Sequence, residues 1–342
     1  PKAVADTLIG RTEGLPADIT GSLNFSEIDK VVIIACGTAY HAGLVGKYAI
    51  EKWADISVDV ELASEYRYRE PSVSGRTLLI PISQSGETMD TLMALRYAKE
   101  HGAKIFSVCN THGSTIPRES DAVLYTHAGP EIAVASTKAF LTQVVAMYLI
   151  SLHMGTLRKT LSPSEHKVLA DEIATLPAKI EQVLETVEPL RALTRTFKDS
   201  TSMLFLGRHV GYPSALEGAL KLKELAYMHA EGFAGGELKH GPIALIDNGT
   251  PVIAVMPGAG TLLHEKMASN VQEVKARGAV VIAIGDADLA SADYKVRIPS
   301  THEFLSPVLS VVPLQVIAYE MAIARGNDVD QPRNLAKSVT VE

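Results

Sequence analysis

This chain of 342 residues has only two cysteines, Cys36 and Cys109, and each lies in an apolar, strand-like run. Two cysteines so far apart exclude a disulfide framework and a cysteine-based metal site, and they indicate reduced core residues of a cytoplasmic protein. The sequence also lacks an uninterrupted apolar segment long enough for a transmembrane helix, because Pro307, Pro313 and polar residues break the longest one, 304–324. A signal peptide and an initial Met are absent too, which indicates a processed protein or a piece of a longer one.

Positive charge is also scarce. Lysine and arginine number 32 against 39 aspartates and glutamates, which gives a net charge of −7, and the sequence shows no basic stripe. This balance disfavours a nucleic-acid partner. A Rossmann dehydrogenase is disfavoured as well, since no strand is followed by G-x-G-x-x-G. The remaining composition is ordinary for a globular protein, and the length suits two α/β domains of about 150 residues each.

Short β-branched runs alternate with helical patterns, which predicts α/β folding with parallel sheets and helices on both faces. Strands predicted at 31–36, 78–82 and 103–109 have counterparts at 202–206, 251–256 and 279–285. The offsets, which are all near 171–176 residues, predict two copies of one α/β unit. We therefore expect a helical lead-in (1–20), a first domain (21–155), a helical connector formed by a helix pair (156–190), a second domain (191–325) and an irregular C-terminal tail (326–342).

A cluster of hydroxyls follows the strand at 78–82. Residues 83–88, Ser-Gln-Ser-Gly-Glu-Thr, lead from this strand into a helix, and no Lys or Arg occurs between Pro81 and Leu95. Such a turn can hold a phosphate through hydroxyls and through the free N–H groups of the new helix. The alternative is an ordinary Ser/Thr cap on a strand–helix turn. The second copy has Pro-Gly-Ala-Gly at 257–260, so any phosphate is expected in the first copy.

The segment 217–230 has a helical composition and is apolar nearly all round, which is typical of a buried helix. Glu217, Lys221 and Glu224 nevertheless share one face of it, at i, i+4 and i+7. They form either an internal salt bridge or, in the case of Glu224, a general base whose pKa is tuned by burial. A glycine-rich loop predicted at 232–242 carries His240, which is either structural or functional.

The tail 328–342 has no helical period, and the simplest interpretation is a frayed terminus. It nevertheless contains the specific-looking segment Pro-Arg-Asn-Leu at 332–335, followed by Lys337. A lysine brought to a site by a mobile tail could form a Schiff base with a carbonyl substrate.

Six motifs together resemble the isomerase part of the glucosamine-6-phosphate synthase family, the glutamine:fructose-6-phosphate amidotransferases. This part consists of two sugar-isomerase (SIS) domains. The likeness runs from about residue 20 to the C-terminus with matching order and spacing, and it implies two tandem SIS-type parallel-sheet α/β sandwiches, doubly wound and flavodoxin-like, plus the tail. The motifs are CGTAYHAG (36–43), SQSGETMDTL (83–92), VASTKAF (134–140), EGALKLKE (217–224), GELKHGP (236–242) and DVDQPRNLAKSVTVE (328–342).

The resemblance also implies roles for individual residues. Lys337 would form the Schiff base with C2 of fructose 6-phosphate, and Glu224 would move the proton between C1 and C2 with the assistance of Lys221. His240 would open the sugar ring from the neighbouring subunit of a homodimer. No metal or organic cofactor is implied. The implied substrate-binding residues are Thr38, Ser83, Gln84, Ser85, Thr88, Val134, Ser136 and Ala336.

The chain departs from the family in two ways. Ala39 stands where family members often have Ser, so one possible hydroxyl contact with the substrate is missing. The N-terminal glutaminase domain of the family is also missing, so we expect isomerisation to glucose 6-phosphate, and formation of glucosamine 6-phosphate only when ammonia is supplied. The alternatives are a non-catalytic SIS module that senses a sugar phosphate and a stand-alone phosphosugar isomerase. A sensor would not need Glu224, His240 and Lys337 together, and a stand-alone isomerase would not need the tail.

Overall fold

The structure is a computed structural model that describes residues 1–21 and 23–341. Ser22, in the predicted first domain, and Glu342, at the end of the predicted tail, lie outside the described residues. The chain divides into two compact units. Unit 1 comprises Pro1–Ile132, Ser136–Pro177 and the tail from Ala336 on, and unit 2 comprises Ala133–Ala135 and Ala178–Leu335. The domain limits given above stay predictions.

The described part of unit 1 contains a five-stranded parallel sheet with the strand order β2-β1-β3-β4-β5. Its central strands are continuous apolar runs, as expected for strands that are buried on both faces. Register is fixed by pairs such as Val31 with Leu78 and Phe106 with Ala122. The strands are β1 (Lys30–Ala35), β2 (Ser57–Leu62), β3 (Thr77–Ser83), β4 (Lys104–Cys109) and β5 (Ala122–Tyr125).

Helices cover both faces of this sheet. Val32, Ile34 and Leu79 pack with α4 and α5 on one face, while α3 and α7 pack against each other and against the sheet. Helix α8 begins with a capping box, in which Ser162 and Glu165 bond to each other's backbone N–H groups. The helices are α1 (Lys2–Leu8), α2 (Ala17–Thr20), α3 (Gly37–Ala54), α4 (Ala63–Tyr66), α5 (Met89–Glu100), α6 (Thr115–Glu119), α7 (Lys138–Leu157) and α8 (Pro163–Ala174), with 3₁₀ turns at Phe25–Glu27 and Arg67–Arg69.

Unit 2 repeats this arrangement. Its described residues form a five-stranded parallel sheet of order β10-β9-β8-β6-β7, which is the topology of unit 1 read from the other edge. The strands are β6 (Ser202–Gly207), β7 (His229–Ala234), β8 (Pro251–Val255), β9 (Val280–Gly285) and β10 (Tyr294–Arg297). The helices are α9 (Leu176–Glu185), which begins in unit 1, α10 (Glu188–Thr196), α11 (Gly211–Ala226), α12 (Leu262–Lys275) and α13 (Ser306–Ala324), with 3₁₀ turns at Gly235–His240, Pro242–Leu245 and Glu303–Leu305.

The doubly wound, flavodoxin-like fold in two copies, predicted from the sequence, is confirmed. The helical connector differs in detail, because residues 156–190 hold α8, α9 and the first turn of α10 instead of a helix pair. No regular element follows α13 within the described tail.

The segment after α11 corrects the sequence prediction. Helix α11 ends at Ala226, and Tyr227 adopts a left-handed conformation with φ +52°. The chain then forms β7, which pairs in parallel with β6, where the sequence predicts the end of a helix and the start of a glycine-rich loop. A Cβ on Gly232 would lie 2.9 Å from the Leu216 backbone. Glycine at this position therefore allows the strand to approach α11 closely.

By length and composition alone, α7 and the segment Glu303–Ala324 could each span a membrane. Most of each helix is buried inside the protein, however, as is usual for a core helix. These two helices are therefore weak evidence for a membrane protein.

Candidate active site

The hydroxyl-rich loop lies at the carboxyl end of β3, where doubly wound sheets bind ligands. The Ser83 hydroxyl accepts a hydrogen bond from the Gly86 N–H at 3.0 Å and lies 3.1 Å from the Thr88 hydroxyl. The Ser85 hydroxyl accepts from the Glu87 N–H at 3.2 Å. A hydroxyl that accepts one such bond can still donate its own proton to an anion. The loop is thus held in shape by internal bonds. One proton of the Ser83 and Thr88 hydroxyls is used in their mutual bond, and the other hydroxyl of this pair and the Ser85 hydroxyl can still donate.

Gly86 determines the turn of this loop. Its φ of +67° lies in the left-handed region, which side chains disfavour. A Cβ at this position would also overlap the Ser114 hydroxyl and lie 3.2 Å from Pro117 Cδ. Backbone conformation and close packing therefore both require glycine here.

We expect Gly86→Ala to lower the free energy of unfolding by about 2–3 kcal/mol, because strain and overlap add. Gly10→Ala is a matched control, since Gly10 has the same φ of +67° with nothing within 4 Å of the added Cβ. The control should lose only about 1 kcal/mol. Urea unfolding of both variants, followed by circular dichroism, measures the difference. Equal losses would show that the contact with Ser114 is unimportant.

The C-terminal tail is bonded to this loop. The Ser338 hydroxyl donates to the Ser85 hydroxyl at 3.0 Å, and the Met89 N–H donates to the Val339 carbonyl at 3.1 Å. From the sequence, the first N–H groups of α5 were expected to be open to an anion. One of these donors is instead occupied by the tail.

The tail contributes Lys337 to a cavity of about 120 Å³ in unit 1. Lys337 is the only Lys or Arg among the described residues that line this cavity, and a second cavity of about 670 Å³ shares Gln84, Ser85 and Lys337 with it. An amine next to a set of hydroxyls suits a ligand that has both a carbonyl and an anionic group. Seven of the expected site residues line the smaller cavity: Thr38, Ser83, Gln84, Ser85, Thr88, Ser136 and Lys337.

The other two residues with an expected binding role lie elsewhere. Val134 belongs to unit 2, where its N–H donates to the Asp330 carbonyl at 3.0 Å. Ala336 precedes Lys337 in the tail, is exposed and does not line the cavity. Their role as substrate ligands stays a prediction.

Sequence reasoning missed several residues that line the cavity, among them Cys36, Thr91 and Gln143. Burial raises the pKa of the Cys36 thiol, although a bond to the Thr91 hydroxyl partly opposes this. The thiol is therefore neutral at physiological pH and places no negative charge beside a bound anion. The position of Cys36, directly before the Gly-Thr that opens α3, was the available signal.

In unit 2, α11 carries the charged face that the sequence analysis singled out. Lys221 Nζ lies 2.5 Å from Glu224 Oε2 and 3.5 Å from Glu217 Oε1. Lys221 and Glu217 are fully buried, whereas the Glu224 side chain is 20% exposed. Burial alone would lower the pKa of Lys221, but the two carboxylates outweigh this effect and raise it above its ordinary value. The internal salt bridge that the sequence allowed is thus present, and the Glu224 carboxylate is the one member of this group that is partly exposed.

His240 ends the 3₁₀ turn that follows β7 and is exposed. Like Lys221 and Glu224, it belongs to unit 2, whereas the hydroxyl loop and Lys337 belong to unit 1. Among residues 1–21 and 23–341, no group of three or more His, Cys, Asp or Glu side chains could hold a metal ion.

Comparison with known proteins gives one family and several close relatives. The SIS domain family matches residues 24–152 and 196–325, which together exceed half of the chain. The glutamine–fructose-6-phosphate aminotransferase (isomerizing) of Streptomyces coelicolor is 58% identical over 358 residues, covering 100% of this chain and 57% of the relative. The enzyme of the same name from Mycobacterium tuberculosis is 56% identical, with 100% and 56% covered. The chain thus spans little more than half the length of these curated relatives.

Solved structures agree with this result. The C-terminal domain of glucosamine-fructose-6-phosphate aminotransferase from Francisella tularensis superposes with a TM-score of 0.91 at 39% identity, covering 97% of this chain and 95% of that one. The tagatose-6-phosphate ketose/aldose isomerase from Escherichia coli has a TM-score of 0.77 at 15% identity, with 98% and 96% covered, and it shares the fold alone.

Proposed function

The chain belongs to the SIS domain family, and within it to the C-terminal domains of glucosamine-fructose-6-phosphate aminotransferases; we propose that it is the isomerising part of such an enzyme and acts on fructose 6-phosphate. The observation that carries this proposal is the cavity shared by the hydroxyl loop and Lys337. It combines an anion cradle and a primary amine, which are the two groups needed to hold and activate a keto sugar phosphate.

In this proposal the loop binds the phosphate. Ser83, Gln84, Ser85 and Thr88 supply neutral hydrogen-bond donors, and Thr38 and Ser136 bind the sugar beside them. These hydroxyl and amide groups, together with backbone N–H groups, can each donate a hydrogen bond to an oxygen of one phosphate group. Val134 and Ala336 contribute further contacts to the sugar.

Lys337 then acts as the nucleophile. Its amine attacks C2 of the open-chain sugar, the carbonyl oxygen leaves as water, and a protonated imine forms at C2. The positive charge on this imine acidifies the protons on C1, which is how amines catalyse keto sugar chemistry. Ammonia can replace the lysine at C2, and this exchange leaves the nitrogen of glucosamine 6-phosphate on the sugar.

Glu224 moves the proton in the following step. It removes a proton from C1 and returns it to C2, which converts the ketose skeleton to the aldose. A glutamate next to a buried lysine is suited to this task because Lys221 stabilises the carboxylate between transfers. His240, from the partner subunit of a homodimer, opens the sugar ring.

The wider assembly is part of the same proposal. The curated relatives are longer than this chain and are named for glutamine as well as fructose 6-phosphate. We assign ammonia supply to a glutaminase domain outside the sequence described here, in a cytoplasmic homodimer. Without that domain the chain should convert fructose 6-phosphate to glucose 6-phosphate.

A direct assay tests the function. The purified chain is mixed with fructose 6-phosphate, and glucose 6-phosphate is measured with a coupled dehydrogenase. A second reaction contains ammonium, and glucosamine 6-phosphate is measured by mass spectrometry. We expect the first product in both reactions and the second only with ammonium. Saturable binding of fructose 6-phosphate without either product would identify a sugar-phosphate sensor instead of an enzyme.

A further inference from the structure

Gln143 is a polar residue in the most apolar part of unit 1. It lies on α7, where nearly every residue is buried, and only 3% of it is exposed. Two other buried polar side chains of this helix, those of Thr142 and Ser151, bond to its own backbone. The Thr142 hydroxyl donates to the Ala139 carbonyl at 3.0 Å, and the Ser151 hydroxyl donates to the Met147 carbonyl at 2.7 Å.

The amide oxygen of Gln143 is different. Among the described residues, Gln143 Oε1 has no hydrogen-bond partner, although it is fully buried. A buried acceptor without a donor destabilises the folded protein, because the water that it loses on folding is not replaced. Such a group suggests a partner that arrives with a ligand.

The place of Gln143 indicates which ligand this is. Its side chain lines the cavity of about 120 Å³ that also contains Ser83, Thr88 and Lys337. Ala39 lines the same cavity and has no hydroxyl that could donate to the amide oxygen. The unpartnered acceptor therefore belongs to the substrate cavity of the proposed function.

We propose that Gln143 Oε1 accepts a hydrogen bond from a hydroxyl on the sugar chain and thereby selects hydroxylated sugar phosphates. This inference rests on the proposed function and adds a specificity residue to it. The phosphate is excluded as the partner, because a phosphate dianion has no proton to donate to a carbonyl oxygen. A glutamine on a buried helix can select between ligands. A ligand that lacks the hydroxyl leaves the buried amide oxygen of Gln143 unpaired and therefore binds more weakly.

The test variant is Gln143→Met, which keeps the length of the side chain and removes the acceptor. We expect KM for fructose 6-phosphate to rise about 10-fold, which corresponds to one hydrogen bond. The inhibition constant of inorganic phosphate and kcat should change less than about 2-fold, because the hydroxyls of the loop and Lys337 are unchanged and the lost bond is made equally in the ground state and the transition state. The thermal midpoint should stay the same or rise, because an unpaired acceptor has been removed.

Deoxy analogues identify the hydroxyl. The analogues are fructose 6-phosphates that lack the hydroxyl at C3, C4 or C5. One of them should bind the unmodified protein about 10-fold more weakly than fructose 6-phosphate does. In Gln143→Met, this analogue and fructose 6-phosphate should bind with equal affinity. Ser151→Ala is the control on the same helix, and it should leave KM unchanged. An unchanged KM in Gln143→Met, or an equal weakening of inorganic phosphate, would overturn the proposal.

The two proposals can fail separately. Calorimetry measures binding of fructose 6-phosphate and of inorganic phosphate without turnover. If the unmodified chain does not isomerise the sugar, the proposed function is wrong. The role of Gln143 is then still decided by the ratio of the dissociation constants of fructose 6-phosphate and inorganic phosphate, compared between the unmodified chain and Gln143→Met. If the chain isomerises the sugar and Gln143→Met does not change that ratio, only the inference about Gln143 is wrong.

Discussion

Lys337→Ala is expected to abolish reductive trapping of fructose 6-phosphate by borohydride and to lower isomerisation by about 10⁴-fold, the usual scale for removing a covalent nucleophile. Lys337 is the only described Lys or Arg on the cavity beside the hydroxyl loop, so no neighbour on that cavity can replace its amine. Binding of inorganic phosphate should persist, since Ser83 and Thr88 are unchanged. Trapping is measured by mass spectrometry of the reduced adduct, and phosphate binding by calorimetry.

Lys167→Ala provides the matched control for this experiment. Lys167 also belongs to unit 1, but it is an exposed residue of α8 that pairs with Asp171. This variant should trap the sugar as efficiently as the unmodified chain, and the reduced sugar should be found on the peptide containing Lys337. An adduct that survives in Lys337→Ala would place the Schiff base on another lysine.

Glu224→Gln is expected to stop exchange of solvent protons into C1 and C2, again by about 10⁴-fold. Glutamine keeps the shape of the side chain and an acceptor for Lys221, and Glu217 continues to balance the buried charge of that lysine. The fold and sugar binding should therefore survive. Nuclear magnetic resonance in deuterium oxide measures the exchange, and borohydride trapping confirms that the Schiff base still forms.

A control and two outcomes test whether Glu224 is the base. Glu265→Gln, an exposed position on α12, serves as the control and should exchange normally. If Glu224→Gln traps the sugar and still exchanges protons at the normal rate, Glu224 is not the base. Loss of trapping together with exchange would indicate instead that the substitution damages binding.

The sequence predicted much of the architecture because the same physical pattern occurs twice. Buried parallel strands need continuous apolar runs, and such runs appear in β1, β3 and β4 and again in β6, β8 and β9. The hydroxyl loop was recognisable because Gly86 and its serines follow such a run directly. Lys337, by contrast, could be connected to this loop only through the family resemblance, since more than 200 residues separate them.

The errors have physical causes too. Strand β7 has the sequence His-Ala-Glu-Gly-Phe-Ala, without a β-branched residue, and it is a strand because it pairs with β6 at the sheet edge. The repeat could have revealed it, since β2 occupies the corresponding place in the first copy. Gln143 was overlooked because one polar residue in an apolar helix gives no periodic signal. Its significance depends on an unpaired oxygen, which only a structure displays.

The discontinuity of unit 1 has a consequence for the synthesis of the protein. A ribosome makes the strands of unit 1 first, then residues Ala178–Leu335 of unit 2, and only afterwards the tail that completes the cavity. The last strand of unit 1 ends at Tyr125, so its sheet can form early, whereas Lys337 is made only after the whole of unit 2. A nascent chain that ends before the tail can therefore contain both sheets while the cavity still lacks Lys337. Premature termination before Ala336 would yield a protein with both sheets but without the lysine that we propose as the nucleophile.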